Sequence, residues 1–261
     1  MKFLLRKILS KFGLQSSYKT EMISGFLISY NPKTDIGRKL YRGVDFEKEE
    51  LEIAKKYIKN NSTILDIGAN IGLHSMTFSK MADNITVIAF EPQPKTFRTL
   101  LKNITQNNLN NIIPLNLAIS NSSNIVDFYV MSDDAYSSLI DTGRKELTEK
   151  IKTITTTVDG LLGNTRVDFV KIDVEGLELN VLHSMSLLIQ KNKPVIFCEI
   201  YKGKIELYNP NDTINFLVNL GYRSYRVIEG DLVELNSNEL HNDQYYNYFF
   251  IPNTMKPSTC I

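Results

Sequence analysis

The sequence contains few cysteines, and the two that it has form no recognisable site. Cys198 and Cys260 stand alone, without the close Cys or His spacing of a zinc site. Cys198 lies in the apolar segment 194–200, which predicts a buried thiol. Nothing in this cysteine usage requires an oxidising compartment, so we expect a cytoplasmic protein without structural zinc.

The sequence also lacks an excess of charge of either sign, an internal repeat and a low-complexity segment. Thirty Lys and Arg residues oppose 29 Asp and Glu residues, which gives a net charge of +1. Sequence-independent binding to DNA or RNA requires a basic surface, so we expect no nucleic-acid partner. No apolar run is long enough to span a bilayer. The 261 residues, 43% of them hydrophobic, suffice for one substantial domain with an N-terminal extension.

Residues 1–14 have the pattern of a basic amphipathic helix. Five Lys and Arg residues precede the first acidic residue of the chain, and apolar residues recur at helical spacing. Arg6 and Lys7 interrupt the apolar run that a secretory signal peptide needs. We interpret this segment as a helix that packs on the domain. The alternative is peripheral contact with a membrane surface or a partner.

From Thr63 onward, strand-like and helix-like segments alternate. This alternation predicts a doubly wound, Rossmann-like α/β domain over residues 63–261, preceded by a region 1–62 that holds the amphipathic helix, a hairpin and a lead-in helix. The hairpin is predicted between residues 19 and 30, the lead-in helix between 46 and 59, and the later helices at 73–81, 95–106 and 177–190. The strands are predicted at 63–67, 86–90, 112–117, 126–130, 167–172, 195–200, 222–228, 232–235 and 245–251, with a polar interruption at 132–150.

The first strand of this domain ends in a glycine-rich turn, Asp66-Ile67-Gly68-Ala69-Asn70-Ile71-Gly72. Glycine lets the backbone bend tightly and approach a ligand, and the start of the following helix favours a carboxylate or phosphate. Such a turn is by itself compatible with a purely structural role, with a dinucleotide site or with another nucleotide-like ligand.

Glu91 ends the second strand, at the spacing from Asp66 where a carboxylate accepts hydrogen bonds from both ribose hydroxyls. This position excludes a 2′-phosphorylated ribose but admits both NAD and S-adenosylmethionine, and a surface glutamate that caps the next helix is the structural alternative. A dinucleotide fold prefers G-x-G-x-x-G, whereas Asn70 occupies the place of the second glycine. The turn therefore suits an amino-acid tail better than a pyrophosphate.

Four motifs in order resemble the FkbM-type methyltransferases, a family within the class I S-adenosylmethionine-dependent group. The motifs are Leu65-Asp66-Ile67-Gly68-Ala69-Asn70-Ile71-Gly72, Phe90-Glu91-Pro92, Leu117-Ala118-Ile119-Ser120 and Lys171-Ile172-Asp173-Val174-Glu175-Gly176. The resemblance covers residues 63–199 and implies a seven-stranded, mostly parallel sheet with an antiparallel terminal strand. It also implies transfer of a methyl group to an oxygen, commonly a hydroxyl of a sugar, a glycan or a secondary metabolite.

The resemblance also implies roles for particular residues at the cofactor. Asp66, Gly68, Asn70 and Gly72 correspond to the pocket for the methionine end of S-adenosylmethionine, and Glu91 corresponds to the ribose ligand. Ala118 and Ile119 are expected near the adenine, although ordinary packing explains Ala118 equally well.

Three carboxylates at later strand ends are the catalytic candidates. Asp173 and Glu175 flank one residue at the end of the fourth strand, and Glu199 ends the next. They suit acceptor binding, general-base catalysis or coordination of Mg²⁺, whereas Glu175 alternatively caps the following helix. His74 and His183 are weaker candidates, since surface or packing roles are the default for both. The loop at 136–138 is expected to fold over the site or to be an ordinary surface loop.

Two other classes of function compete with methyl transfer. An NAD-dependent oxidoreductase would share Gly68, Gly72 and Glu91, but the sequence shows no catalytic Tyr/Lys, Ser or His set after the later strands. A non-catalytic cofactor-binding module is the second rival, and the intact cofactor motifs argue against it. An enzyme that methylates nucleic-acid amino groups would carry an Asn/Asp-Pro-Pro-aromatic turn where Asp173-Val174-Glu175-Gly176 stands.

Overall fold

The computed structural model describes residues 18–200, 209–235 and 246–257. Its helices are α1 Asp35–Arg42, α2 Lys48–Tyr57, α3 Leu73–Phe78, α4 Pro94–Gln106, α5 Val158–Leu162, α6 Glu178–Ser184, α7 Ser186–Asn192 and α8 Pro210–Asn219. Its strands are β1 Lys19–Ile23, β2 Phe26–Tyr30, β3 Thr63–Ile67, β4 Thr86–Phe90, β5 Ile112–Leu115, β6 Ala118–Ile119, β7 Ile125–Met131, β8 Leu147–Thr156, β9 Phe169–Ile172, β10 Val195–Glu199, β11 Tyr222–Ile228, β12 Asp231–Glu234 and β13 Asn247–Pro252.

The core is built on both faces of one large sheet. Side chains alternate between the faces of a strand, and Ile64 belongs to one buried apolar cluster while Leu65 belongs to a second. Helices cover both faces, so each central strand is buried on both sides and consists of a nearly continuous apolar run. This is the reason that β3 and β4 could be predicted from their sequences to the residue.

The sheet has eight strands in the order β12-β11-β13-β10-β9-β3-β4-β5. The strands β10, β9, β3, β4 and β5 pair in parallel, whereas β13 is antiparallel to both β10 and β11. The α/β fold is confirmed, but the sheet is mixed and has eight strands, so the predicted count of seven is wrong. A tight turn at Glu229 and Gly230, both with positive φ, folds β12 back onto β11 and adds the eighth strand.

The elements before β3 belong to the same core. A hairpin of β1 and β2 occupies the segment in which it is predicted, and α2 lies within the predicted lead-in helix. Tyr30, Tyr41 and Ile53 from this region are buried in one cluster with Ile64. The division into regions 1–62 and 63–261 stays a prediction, and the amphipathic helix predicted at 1–14 lies outside the described residues. No helix in the described part of the chain is long and apolar enough to cross a membrane.

A second sheet of three strands, in the order β6-β8-β7, leads the chain away from the main sheet and back. The strand predicted at 126–130 exists, but it pairs antiparallel with β8 instead of joining the main sheet, so its expected place in the parallel alternation is wrong. The predicted polar interruption 132–150 ends in β8, whose side chains from Leu147 to Lys150 are exposed. The helix predicted at 177–190 is broken at Met185 into α6 and α7.

Candidate active site

The glycine-rich turn after β3 is pressed against the end of the neighbouring strand β9. Gly68 has φ +82°, and a Cβ there would collide with the backbone oxygen of Asp173. The amides of Gly68 and Ala69 both donate to the Phe90 carbonyl, at 3.0 and 2.9 Å. The turn therefore needs glycine for its backbone conformation and for its close approach to β9.

Glu91 is a buried carboxylate directed at this turn. One carboxylate oxygen accepts the backbone N–H of Asn70 at 2.9 Å, and the other accepts the N–H of Gln93 at 2.9 Å. The residue is only 6% exposed, and burial raises the pKa of Glu91 to about 7 against the hydrogen bonds that favour its charged form. Hydrogen-bond donors of a bound ligand would stabilise the charged form of such a buried carboxylate strongly.

An open cleft lies where β3, β4 and β9 end. Ligand crevices of open α/β sheets occur at this edge. The cleft brings together most of the predicted site residues, which are Gly68, Asn70, Glu91, Ala118, Ile119, Asp173 and Glu175.

Two of the predicted cofactor residues, Asp66 and Gly72, lie behind the turn and outside the described lining of this cleft. Asp66 is fully buried and accepts a hydrogen bond from Ser75 in α3. Gly72 has φ +92° and passes close to Leu100, which a Cβ would approach to 2.5 Å. Both residues support the turn from within the core.

Lys171 is a buried cation that the sequence analysis assigned no role. It is 3% exposed, and its Nζ donates to the Gly68 carbonyl at 2.9 Å while lying 3.5 Å from Asp66 and 3.4 Å from Asp173. Burial opposes the charge, but Asp173, Asp66 and Glu47 outweigh it and raise the pKa of Lys171 above its usual range. Lys171 thus links the glycine-rich turn to Asp173 at the end of β9.

The three predicted catalytic carboxylates converge: oxygens of Asp173, Glu175 and Glu199 all lie within 4.8 Å of one another. Burial, reinforced by the charge of Asp173, raises the pKa of Glu175 to about 8 and that of Glu199 well above its usual range. Glu175, in the left-handed region with φ +59°, pairs with Arg144. At neutral pH the cluster therefore retains protons and is neutralised in part by side-chain cations.

The segment between β7 and β8 covers the cleft. Of the two alternatives for the loop at 136–138, the structure therefore favours the one in which the loop folds over the site. Ser137, Ser138 and Leu139 line the cleft. Ser138 donates to the backbone oxygen of Val174 at 3.1 Å, and the Tyr136 hydroxyl donates to Asp35 at 2.5 Å. These hydroxyls hold the segment to the end of β9 and to α1.

The histidine candidates differ in their surroundings. His74 is 6% exposed, packs against the ring of Phe46 with centroids 5.2 Å apart, and places Nε2 at 2.9 Å from Glu47. Burial alone would raise the pKa of Glu47, but His74, Lys171 and Lys39 together outweigh it and lower that pKa. His183 packs on Phe216 of α8, at 4.6 Å between ring centroids.

Lys171, Arg144 and Glu47 are site residues that sequence reasoning missed. Lys171 stands two residues before Asp173. The residues on either side of Lys171 and of Asp66 all belong to the same apolar cluster as Leu65, so strand alternation places Lys171 and Asp66 together on the opposite face of the sheet. That alternation was the available signal. Arg144 and Glu47 come from a loop and a helix start far away in the sequence, and no local pattern marks them.

Comparisons with known proteins show which proteins this chain is similar to. A family model described as the methyltransferase FkbM domain matches residues 66–224. The chain is 30% identical over 197 residues to a protein of Haloferax volcanii named hexuronic acid methyltransferase AglP, covering 74% of both chains. It is 24% identical to methyltransferase 1 of Beauveria bassiana, over 64% of this chain and 75% of that protein. A crystal structure of the methyltransferase FkbM from Methylobacillus flagellatus KT aligns at TM-score 0.49 and 17% identity, over 73% of this chain and 44% of that one.

Proposed function

Because the chain belongs to the FkbM methyltransferase family, we propose that it transfers a methyl group from S-adenosylmethionine to a hydroxyl of a sugar or glycan. The observation that carries this proposal is a cleft that Glu91, the Gly68 turn, Asp173 and Glu175 line together. Such an arrangement supplies a nucleoside pocket next to a group that accepts a proton.

The cleft residues fit this cofactor on chemical grounds. Glu91 has a buried carboxylate whose remaining lone pairs suit the two hydroxyls of a ribose, and Gly68 lines the cleft without a side chain. Ala118 and Ile119 are buried apolar residues of the wall, suited to a flat adenine ring. The methionine end is assigned to the Gly68 and Asn70 side, with Asp66 and Gly72 supporting that turn from behind.

S-Adenosylmethionine, when bound, supplies a methyl group on a positively charged sulfur that the acceptor oxygen displaces in line. Catalysis by the chain then consists chiefly of alignment, since a displacement of this kind gains most from correct placement of its reactants. We assign Asp173 as the base that accepts the hydroxyl proton, because it lines the cleft and its side chain is about one third exposed. Lys171 holds the Asp173 carboxylate toward the Gly68 turn.

Glu175 and Glu199 are assigned to acceptor binding. Burial raises the pKa of Glu199 well above its usual range, so this carboxyl group keeps a proton and both donates and accepts hydrogen bonds, as a hydroxyl-rich acceptor requires. Glu175, paired with Arg144, offers acceptor oxygens. A sugar acid is the first acceptor to test, because the Haloferax volcanii relative is named for hexuronic acid methylation.

Magnesium is the second candidate for the same carboxylates. Their oxygens have a spacing that a metal ion accepts. Two of the three, however, already pair with cations, Glu175 with Arg144 and Asp173 with Lys171. These cations compete with a metal ion for the same oxygens, so no step is assigned to Mg²⁺. We expect turnover to be unchanged by a chelator, and a loss of activity that Mg²⁺ restores would contradict this assignment.

The test of the proposed function is transfer of a labelled methyl group from S-adenosylmethionine to a panel of nucleotide sugars, oligosaccharides and glycosides of neutral sugars and uronic acids. With an accepted substrate, Asp173→Asn should reduce kcat by about a hundredfold or more, because it preserves shape and removes the base. Affinity for S-adenosylhomocysteine, measured by calorimetry, should change little. Full turnover by this variant would assign Asp173 a structural role, and binding of NAD in preference to S-adenosylhomocysteine would refute the cofactor.

A further inference from the structure

Acidic side chains dominate the polar part of the cleft wall. The carboxylates that line it are those of Glu91, Asp134, Asp173 and Glu175, and its described lining includes no Lys, Arg or His. Like charges in a partly enclosed space repel one another, and the repulsion increases as water is excluded. An acceptor that carries its own carboxylate, such as a uronic acid, therefore needs a cation beside this wall to balance its charge.

Among the described residues, two cations pair with carboxylates of this wall. Lys171 is buried, and its Nζ lies 3.5 Å from Asp66 and 3.4 Å from Asp173. Arg144 pairs with Glu175, and its side chain is 20% exposed. Arg144 is thus the more accessible of the two cations.

The ion pair of Arg144 and Glu175 is held in place from both sides. The guanidinium lies over the ring of Tyr136, with Cζ 4.4 Å from the ring centroid, and the Tyr136 hydroxyl donates to Asp35 at 2.5 Å. Glu175 has φ +59°, which costs a residue other than glycine free energy, and the Ser138 hydroxyl lies 3.3 Å from its backbone oxygen. Such strain persists where surrounding contacts fix the backbone, and it concentrates at ligand sites.

A guanidinium that is ordered in advance suits a carboxylate ligand. Its five N–H donors lie in one plane, so one guanidinium can bind two carboxylates along different edges through charge-assisted hydrogen bonds. Because the side chain of Arg144 is already fixed by Tyr136 and Glu175, it loses less conformational entropy when a ligand binds. Oxygens of Asp173 and Glu175 lie within 4.8 Å of each other, so groups on one sugar ring can reach both Asp173 and the cation that Glu175 holds.

We propose that Arg144 binds the carboxylate of a uronic acid acceptor beside Glu175, while a hydroxyl of the same sugar lies at Asp173. Arg144 thereby selects acidic sugars over neutral ones. The inference rests on the proposed function, since it concerns the acceptor of that reaction. It adds the residue that distinguishes a sugar acid from other sugars, and it gives Glu175 the task of holding Arg144 at the cleft wall.

The experiment measures binding of two probes, methyl β-D-glucopyranosiduronate and methyl β-D-glucopyranoside, which differ in a carboxylate against a hydroxymethyl group. Affinities are obtained from saturation-transfer difference NMR titrations of the full chain saturated with S-adenosylhomocysteine. The variants are Arg144→Gln, which removes the charge, and Arg144→Lys, which keeps the charge without the planar geometry. Thermal unfolding of each variant confirms that it is folded.

Lys145→Gln is the matched control. Lys145 is the next residue of the same segment, and its Nζ also lies over the Tyr136 ring, 4.7 Å from the centroid. It pairs with Asp35, however, and not with a carboxylate that lines the cleft. Its substitution therefore removes a positive charge from the covering segment without removing the proposed carboxylate ligand.

We expect the wild type and Lys145→Gln to bind the glucuronide about tenfold or more tightly than the glucoside. Arg144→Gln should lose this preference, because its affinity for the glucuronide falls by about tenfold or more while its affinity for the glucoside changes little. Arg144→Lys should retain part of the preference.

Three results would overturn the proposal. In the first, the wild type fails to bind the glucuronide or binds it no more tightly than the glucoside. In the second, the preference persists in Arg144→Gln. In the third, Arg144→Gln weakens both probes alike, because a residue that only holds the cover in place has this effect.

Failure of the proposed function has a different signature. If the preference for the glucuronide depends on Arg144 but neither probe is methylated, the carboxylate site stands and the assigned reaction is wrong. If sugars are methylated and Arg144→Gln retains the wild-type preference, the reaction stands and the carboxylate site is wrong. If S-adenosylhomocysteine does not bind, the titrations are repeated on the protein alone, and the same comparison of Arg144→Gln with Lys145→Gln decides the inference.

Discussion

At the scale of single residues, the pKa of Glu91 makes cofactor affinity at the proposed pocket depend on pH. Its carboxylate is buried and held by two backbone amides, and its pKa of about 7 places the charge change within the working range of an enzyme assay. The ionised form accepts hydrogen bonds from ribose hydroxyls, whereas the protonated form loses acceptor capacity.

Affinity for S-adenosylhomocysteine should therefore decrease as the pH falls below about 7, approaching tenfold per pH unit if only the ionised form binds. Glu91→Gln has no charge to lose, so its weaker binding should be nearly independent of pH. Calorimetry between pH 5.5 and 8.5, in buffers of different ionisation enthalpy, measures both the affinity and the protons released. Parallel pH profiles for the wild type and the variant would remove Glu91 from the ribose position.

Substitutions at Gly68 and Gly143 separate two reasons for a glycine, which are close approach to a neighbouring strand and a backbone conformation with positive φ. Both have positive φ, but a Cβ at Gly143 meets no atom within 4 Å, whereas at Gly68 it collides with the Asp173 carbonyl. We expect Gly143→Ala to cost about 1–2 kcal/mol in free energy of unfolding and to leave cofactor affinity unchanged. Gly68→Ala should cost more and abolish detectable binding of S-adenosylhomocysteine. Denaturant titration and calorimetry check this, and equal effects of the two substitutions would contradict it.

The site residues that could be predicted from the sequence are those that stand at the ends of predicted strands. Gly68, Glu91 and Asp173 end adjacent parallel strands, and strand ends meet at one edge of the sheet. The pairing of Glu175 with Arg144 depends instead on the path of a loop 31 residues away in the sequence, which no periodicity encodes. The burial of Lys171 was missed for a different reason: a lysine in a strand ordinarily marks an exposed face, although the apolar residues on both sides of it indicated a buried strand.

At the scale of elements, the segment between β7 and β8 is held over the cleft by polar contacts with α1. Asp35 accepts the Tyr136 hydroxyl and pairs with Arg38 and, at 3.4 Å, with Lys145. Burial opposes the charge of Asp35, but these partners outweigh it and lower the pKa of Asp35. The cover over the cleft therefore depends on a small number of hydrogen bonds and ion pairs.

Tyr136→Phe should loosen this cover without disturbing the sheet beneath it. Loss of one hydrogen bond to a carboxylate costs about 1.5–3 kcal/mol where it forms, so amide hydrogen exchange at residues 132–146 should accelerate by about tenfold or more. Tyr129→Phe is the matched control, because it removes the same hydroxyl from a tyrosine of β7, whose ring centroid lies 4.6 Å from the Lys150 Nζ. Unchanged exchange in Tyr136→Phe, measured by mass spectrometry, would show that the cover is held by other contacts.

The elements predicted correctly are those whose burial shapes their sequence. Both faces of β3 and β4 are covered, and the apolar runs mark them to the residue. In contrast, β8 is exposed along its first half and reads as a polar loop, so the second sheet was missed. The break at Met185 was missed because α6 and α7 continue one apolar stripe, which periodicity cannot distinguish from a single helix.

At the scale of the whole molecule, family membership identifies the enzyme as a methyltransferase and decides against an oxidoreductase built on the same glycine-rich turn. Although the net charge of the chain is near zero, its acidic groups are distributed unevenly in the fold. Acidic groups are concentrated at one edge of the sheet, where Glu91, Glu175 and Glu199 all have raised pKa values because they are buried.

This concentration predicts that stability falls as the pH rises from about 5 to about 8. In that window the folded protein binds more protons at these three glutamates than the unfolded chain does, and stability rises with pH only where the unfolded chain binds more. Glu47, whose pKa is lowered, acts in the opposite direction at lower pH. Thermal unfolding across the range should show the decline, and Glu91→Gln should flatten it while Glu149→Gln on the exposed part of β8 should not. A midpoint that rises between pH 5 and 8 would contradict the prediction.

The position of β13 has a consequence for the order in which the molecule forms during synthesis. This strand comes last among the described strands, yet it lies between β10 and β11, and Phe249 stacks on Phe197 at 4.8 Å. The hairpin of β11 and β12 leaves the ribosome earlier but has no strand of the sheet to pair with until β13 arrives. A nascent chain therefore carries the proposed nucleoside pocket at β3 and β4 nearly finished, while β10, beside the proposed catalytic carboxylates, still has an open edge. Such an edge is a natural place for a chaperone to bind, and it closes only when the last strand is inserted.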